Sequence, residues 1–315
     1  MILKVGRCGI CGTDLHRTEA GVATYREGAI PGHEFSGEVA ATGVDVTTLK
    51  VGDLVTSLPY IGCNNCVHCL QGFPAFCRQT RNIGTDSQPG AFAEYVAVGA
   101  PFTLKLPQGL SLSDGALIEP LAVALRGVAR AGIGPGTKVL VLGAGPIGLA
   151  AAYWAKHAGA SRVAVQASSG RREAIARAMG ADVFVQAIDG VSPAQAARAA
   201  LGDPPDVVLE CIGLDGSIDQ AVASVRRQGM VVVLGACMAQ DHWMPVRALT
   251  KEVDLRFSYV YDLRQFQIAI DTFERGAVEP RALVTDTVSL EGVSTAFDEL
   301  RARSTQCKVL VNPWL

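Results

Sequence analysis

The run Val139-Leu-Val-Leu-Gly-Ala-Gly-Pro-Ile-Gly148 constrains this chain more than any other segment. Four apolar residues lead into glycines spaced Gly143-x-Gly145-x-x-Gly148, and a helix-forming stretch follows. Glycines in that pattern mean little alone. Between a buried strand and a helix they mark a turn that receives a dinucleotide pyrophosphate. Gly143 permits the tight turn, Gly145 lets backbone N–H groups approach the anion, and Gly148 lets the helix pack close to the strand. Pro146 and Ile147 then open a helix whose N-terminus faces the negative charge. Such a turn needs strands and helices in alternation, and the sequence supplies them. Apolar strand candidates follow at Val139–Leu142, Arg162–Ala167, Asp182–Gln186, Asp206–Ile212, Met230–Ala236 and Leu255–Val260, separated by helical stretches such as Gly148–His157 and Arg171–Met179. The expected fold class is α/β, with a doubly wound parallel sheet.

The 315 residues leave room for a second domain. Residues 1 to about 117 have short strands and frequent turn signals (Pro31-Gly32, Val51-Gly52-Asp53, Gly90, Pro107-Gln108-Gly109), with alternation in Ala93–Val98. This predicts a β-rich domain. Two helical patterns, Leu263–Glu274 and Leu290–Ala302, and a strand Lys308–Val311 close the chain. That segment is expected to return to the first domain, giving 1–120 with 263–315 as one unit and 121–262 as the other. Hydrophobic residues at 49% against 18% charged exclude large-scale disorder. With 28 Lys plus Arg against 30 Asp plus Glu, no basic excess exists for a nucleic-acid or acidic-membrane partner. Met1–Val5 is too short an apolar run for a signal peptide. Val139–Ala155 nears the length of a membrane span, but its glycines and Pro146 read as strand, turn and helix. A cytoplasmic protein is expected.

The second strand of the α/β part bears on cofactor choice. In an NAD site an Asp or Glu about 20 residues past the glycines binds the ribose 2′-hydroxyl. Here that place is Ala167, and no carboxylate occurs between Gly143 and Glu173. Ser168, Ser169, Arg171 and Arg172 follow instead. Hydroxyls and guanidinium groups suit a 2′-phosphate, and one charge-assisted bond is worth about 1.5–3 kcal/mol, a roughly ten- to hundredfold preference. NADP is favoured over NAD, although Arg172 serves either cofactor and both arginines also read as a solvated helix start.

Nine cysteines without an export signal argue against a disulfide framework. Cys63-x2-Cys66-x2-Cys69-x7-Cys77 places four thiolates on a turn-rich loop, which suits a closed tetrahedral Zn²⁺ of structural kind. Free thiols or an iron–sulfur cluster compete with that reading, and His68 reads as an exposed bystander. Cys8, Cys211, Cys237 and Cys307 read as small buried hydrophobes. A second constellation is dispersed: Cys11, Thr13, Asp14 and His16, then His33-Glu34, then Glu119-Pro120. One thiolate, one imidazole and a carboxylate suit a catalytic zinc with one position left for substrate. The same residues also read as core, turn and acidic helix start, and spacing alone does not choose.

Taken together, these motifs resemble the zinc-containing medium-chain dehydrogenase/reductase family of alcohol, polyol and threonine dehydrogenases, in the family's order and over essentially the whole chain. Ile118-Glu-Pro-Leu-Ala-Val123 is closer to the polyol and threonine branch than to classical alcohol dehydrogenases, which carry cysteine there. The resemblance implies a GroES-like catalytic domain, a Rossmann domain, an active site in the cleft, and two zinc ions per subunit. It implies that Cys11 and His33 ligate the catalytic zinc with Glu34 or Glu119 as the third ligand, that Asp14 orients a ligand, and that Thr13 and His16 relay the proton. Lys308 falls where the family places a cationic cofactor contact, and Leu234, Gly235 and Ala236 resemble the lining of the nicotinamide pocket. The implied activity is hydride transfer between a secondary alcohol or polyol and NADP(H), in either direction. An NAD-using L-threonine dehydrogenase-like enzyme and an inactive cofactor-binding redox sensor or structural subunit are the alternatives. Small-molecule alcohols or carbonyls are the expected partners, and a homodimer or homotetramer the expected assembly through the Leu255–Val260 edge. Members of the family usually carry a further pair of strands before the segment equivalent to Leu3–Val5, and Met1 of this sequence already lies inside that strand. An exposed sheet edge and weaker support beneath Cys11 are expected from that.

Overall fold

A computed structural model of the chain describes all residues except 20–23, 86–87 and 303–304. They form two compact units, Met1–Ala122 with Val260–Leu315, and Val123–Tyr259. In chain order the first unit holds β1 (Ile2–Gly9), β2 (Glu34–Ala41), β3 (Leu54–Ser57), β4 (Tyr60–Ile61), β5 (Arg81–Asn82), β6 (Tyr95–Ala97) and β7 (Thr103–Lys105). The second holds β8 (Lys138–Leu142), β9 (Arg162–Ala167), β10 (Val183–Gln186), β11 (Val207–Glu210), β12 (Met230–Val233) and β13 (Asp254–Phe257). The returning segment adds β14 (Val284–Val288) and β15 (Lys308–Val311) to the first.

The main sheet of the first unit runs β14-β15-β1-β2-β3-β7, with β6 also on β1. Alternation decides its inner face. Leu3, Val5, Phe35, Val39, Val55, Val309 and Val311 are buried together, while Lys4 and Glu38 point outward. The expected exposed edge at the first strand is not found. β1 lies inside the sheet, with β2 along its length, β6 on Ile2–Lys4 and β15 on Cys8–Gly9. Trp314 adds a further tie by donating from Nε1 to the Val5 carbonyl at 2.7 Å. The strand beneath Cys11 is therefore held on both sides.

In the second unit the order is β10-β9-β8-β11-β12-β13, and every pairing is parallel. Val139–Leu142 of the central β8 are fully buried, as a strand covered on both faces requires. The strand order reverses between β8 and β11, which leaves a crevice at their carboxyl ends, and the Gly143 turn opens there. Strands β11 and β12 stop short of the predicted Ile212 and Ala236. The cause is local: the Glu210 carbonyl accepts N–H bonds from both Leu234 and Gly235, and Gly213 turns the chain at φ +66°. The Leu263–Glu274 helix has its predicted bounds, capped by Asp262, which accepts N–H bonds from Arg264 and Gln265 at 2.8 and 3.0 Å. The Val139–Ala155 run divides into β8 and the helix Pro146–His157. Among the described residues no helix is long and apolar enough to cross a membrane.

Candidate active site

Cys11 leaves the end of β1 and precedes the short helix Gly12–His16. The Cys11 N–H donates to Oδ2 of Asp14 at 2.9 Å, which fixes the helix start. Asp14 is fully buried, and its other oxygen accepts the Tyr25 hydroxyl at 2.8 Å and lies 3.5 Å from Nδ1 of His33. Burial pushes the Asp14 carboxyl up, but the His33 charge and these hydrogen bonds outweigh it and hold the carboxyl below its ordinary range. His33 and Glu34 enter β2 after Gly32, whose φ of +101° and close approach to the Phe92 backbone exclude a side chain. The donor atoms of Cys11, His33 and Glu34 all lie within 4.8 Å of one another.

Glu34 is fully buried. Its Oε2 accepts from Nζ of Lys308 at 2.5 Å, and its Oε1 has no partner. Lys308, expected as a cationic cofactor contact, is enclosed at 1% exposure. Its ammonium is used by Glu34 and by the Ile10 carbonyl at 2.8 Å, because β15 lies beside β1. Glu119, on the helix Leu112–Ala131, is also buried but lies outside the three-residue cluster. It accepts the Tyr261 hydroxyl at 2.7 Å, and burial followed by the Glu34 charge raises it to about 7. Thr13 and His16 lie one turn apart, Thr13 half-buried and His16 with Nδ1 3.9 Å from Glu19.

The four thiols Cys63, Cys66, Cys69 and Cys77 converge within 4.8 Å and remain unbridged. Asn64, at φ +64°, turns the loop so that N–H groups of Asn65 and Cys66 face the Cys63 sulfur and pull its pKa down to about 6. His68 is exposed and outside this cluster.

In the second unit a Cβ on Gly148 would lie 1.9 Å from the Gly143 carbonyl, so the helix Pro146–His157 sits against the turn. A Cβ on Gly145 would meet nothing within 4 Å, which leaves open space before that helix. Ala167 ends β9. Beyond it Ser168 and Arg171 are exposed, Ser169 is half-buried, and Arg172 donates to the Ala144 carbonyl in the glycine turn at 3.1 Å. Leu234, Gly235 and Ala236 form the turn after β12. Cys8 and Cys307 are buried as expected, but Cys211 and Cys237 are only partly so, because both follow strand ends.

Residues 1–108 match the alcohol dehydrogenase GroES-like domain, and residues 146–275 match the zinc-binding dehydrogenase domain. D-xylulose reductase A of Aspergillus niger is 33% identical over 310 residues, 96% of this chain and 86% of its own. The chain belongs to the zinc-containing medium-chain dehydrogenase/reductase family. Two solved structures share its fold across 99% of the chain and 92% of their own. One is 2R,3R-butanediol dehydrogenase of Bacillus subtilis (30% identity, TM-score 0.87). The other, from Sinorhizobium meliloti 1021, is assigned to the zinc-binding dehydrogenases and bound to NADP (31% identity, TM-score 0.86). As a family member the chain is a zinc-dependent oxidoreductase of alcohols or polyols. Sequence reasoning missed Tyr25 and Tyr261. Neither stands in a motif, and each reaches the site only through tertiary packing.

Proposed function

We propose that this dehydrogenase transfers hydride between a secondary alcohol or polyol and NADP(H), with Cys11, His33 and Glu34 as the catalytic zinc ligands. The convergence of one sulfur, one imidazole and one carboxylate within 4.8 Å carries the reading. Their chemistry fits the ion: Glu34 keeps a buried oxygen without a partner, and His33, with Nδ1 turned to Asp14, has Nε2 left for a metal. The four-cysteine cluster fits a closed structural zinc. The polyol class is supported by the D-xylulose reductase and butanediol dehydrogenase relatives.

Zinc would supply a Lewis acid for the substrate oxygen, and the nicotinamide a hydride acceptor. The chain does the rest. Asp14 holds Cys11 and His33 in register. Lys308 fixes one oxygen of Glu34 so that the other faces the cluster. Thr13 Oγ1 accepts the proton of the substrate hydroxyl as it passes its own toward His16, which is partly exposed and hands a proton on to water. The open space at Gly145 and the helix start behind it suit a pyrophosphate. With Arg172 turned to the glycine turn, Arg171 and the two serines are the groups available to a 2′-phosphate. A cytoplasmic homo-oligomer completes the proposal; its assembly is supported by β13, which among the described residues ends the sheet order, with Phe257 exposed there.

Elemental analysis tests the metal assignment. Close to two zinc ions per chain are expected, falling to about one in Cys11→Ser, with turnover lost and cofactor binding kept. Full turnover in Cys11→Ser would overturn the proposal.

A further inference from the structure

Two buried carboxylates stand at this site, and their surroundings differ. Glu34, a member of the Cys11–His33–Glu34 cluster, is bound on one oxygen by Lys308, and its other oxygen is buried without a partner. Glu119 lies outside that cluster, with Oε1 held by Tyr261 at 2.7 Å. Tyr261 is itself fully buried. Its ring stacks on Phe266 with centroids 5.5 Å apart and an interplanar angle of 26°. Phe266 is fully buried in the Leu263–Glu274 helix, whose first turn Asp262 caps. The tyrosine is thus anchored from behind, and its hydroxyl has a fixed address.

We propose that Tyr261 is a positioning residue that holds Glu119 away from the zinc ligands, so that the fourth position stays open to the substrate oxygen. The inference rests on Cys11, His33 and Glu34 being those ligands. Counting the Lys308 ammonium on Glu34, the Cys11 thiolate and the Glu34 and Asp14 carboxylates together already match the charge of a divalent ion, so a further anion gains little by binding. Under that balance one buried hydrogen bond decides where Glu119 rests.

Tyr261→Phe removes the hydroxyl and keeps the stacked ring. The probe is Co²⁺ placed at the catalytic site while zinc fills the four-cysteine site, read by its visible d–d bands. In Tyr261→Phe the bands should shift, and imidazole added as a monodentate probe of the open position should bind about tenfold more weakly. Adding Glu119→Gln in the same background should restore the wild-type bands and imidazole affinity. Wild-type bands and affinity in Tyr261→Phe would overturn the inference, as would a shift that survives Glu119→Gln. If the wild-type bands are unchanged by Cys11→Ser, the zinc assignment itself fails, a different result from loss of the tether alone. Near-UV circular dichroism of the zinc-loaded variants separates all of these from misfolding.

Discussion

Replacing Lys308 by Met keeps the length and apolar stem of a buried side chain and removes its charge. Lys308 is 1% exposed and bonds Glu34 at 2.5 Å and the Ile10 carbonyl at 2.8 Å. Burial pulls its ammonium down, but the Glu34 charge outweighs this and raises it above the ordinary lysine range. A raised lysine contributes stability that is complete below its unfolded value of about 10.4 and is lost only as pH rises through the higher folded value, so its cation persists through any neutral assay. After substitution the Glu34 carboxylate has no cation and the Ile10 carbonyl loses its donor. Removing one partner of a buried pair costs about 3–5 kcal/mol, a large share of a typical 5–15 kcal/mol fold stability. Urea unfolding of metal-free protein should show that loss. Lys308→Met with Glu34→Gln should recover most of it, because no unpaired charge remains. Additivity of the two single changes, or a Lys308→Met protein within about 0.5 kcal/mol of wild type, would refute the reasoning, since the latter is what an exposed pair gives.

Ala167→Asp should move cofactor preference from NADP toward NAD by roughly ten- to hundredfold, measured as the ratio of kcat/KM values; an unchanged ratio would remove β9 from the selectivity argument. Asp114 accepts Nε of Arg281 at 2.8 Å and the N–H and hydroxyl of Ser111 at 3.0 and 2.8 Å. Burial raises its carboxyl, but Arg281 and Ser111 together hold it below the usual range. Its stabilisation is therefore complete above its unfolded value of about 3.9 and fades as pH falls through the lower folded value. Asp114→Ala should cost about 1–3 kcal/mol at pH 7 by chemical unfolding, and the deficit should vanish in strong acid. Charged residues at Phe257 and Tyr259 should lower the sedimentation coefficient toward that of a monomer; no change would assign the assembly to another face.

Unit two was readable from sequence because its signals are local. Val139–Leu142 is a continuous apolar run and Gly148 is a glycine for a contact five residues away, so pattern and cause share one segment. The thiol loop was readable for the same reason. The catalytic cluster was only half legible: Cys11 and His33 stood in motifs, but whether Glu34 or Glu119 joins them depends on where helix Leu112–Ala131 places its side chains. The pairing of Lys308 with Glu34 has no local signal because the two lie 274 positions apart, and Tyr261 carries none because Glu119 lies 142 positions away. Strand ends overshot where backbone N–H groups of the next strand's turn fold back on Glu210, a bond with no composition signature.

The place of β15 beside β1 has a bearing on biosynthesis. During translation Cys11, His33 and Glu34 leave the ribosome well before the cation that neutralises Glu34, which lies 274 positions further along the chain. Until β15 docks, the first strands hold an acidic pocket with no counter-charge and a sheet open on the β1 side. Metal captured before β15 docks would meet that provisional electrostatics, and the finished site would exist only once the strand is in place.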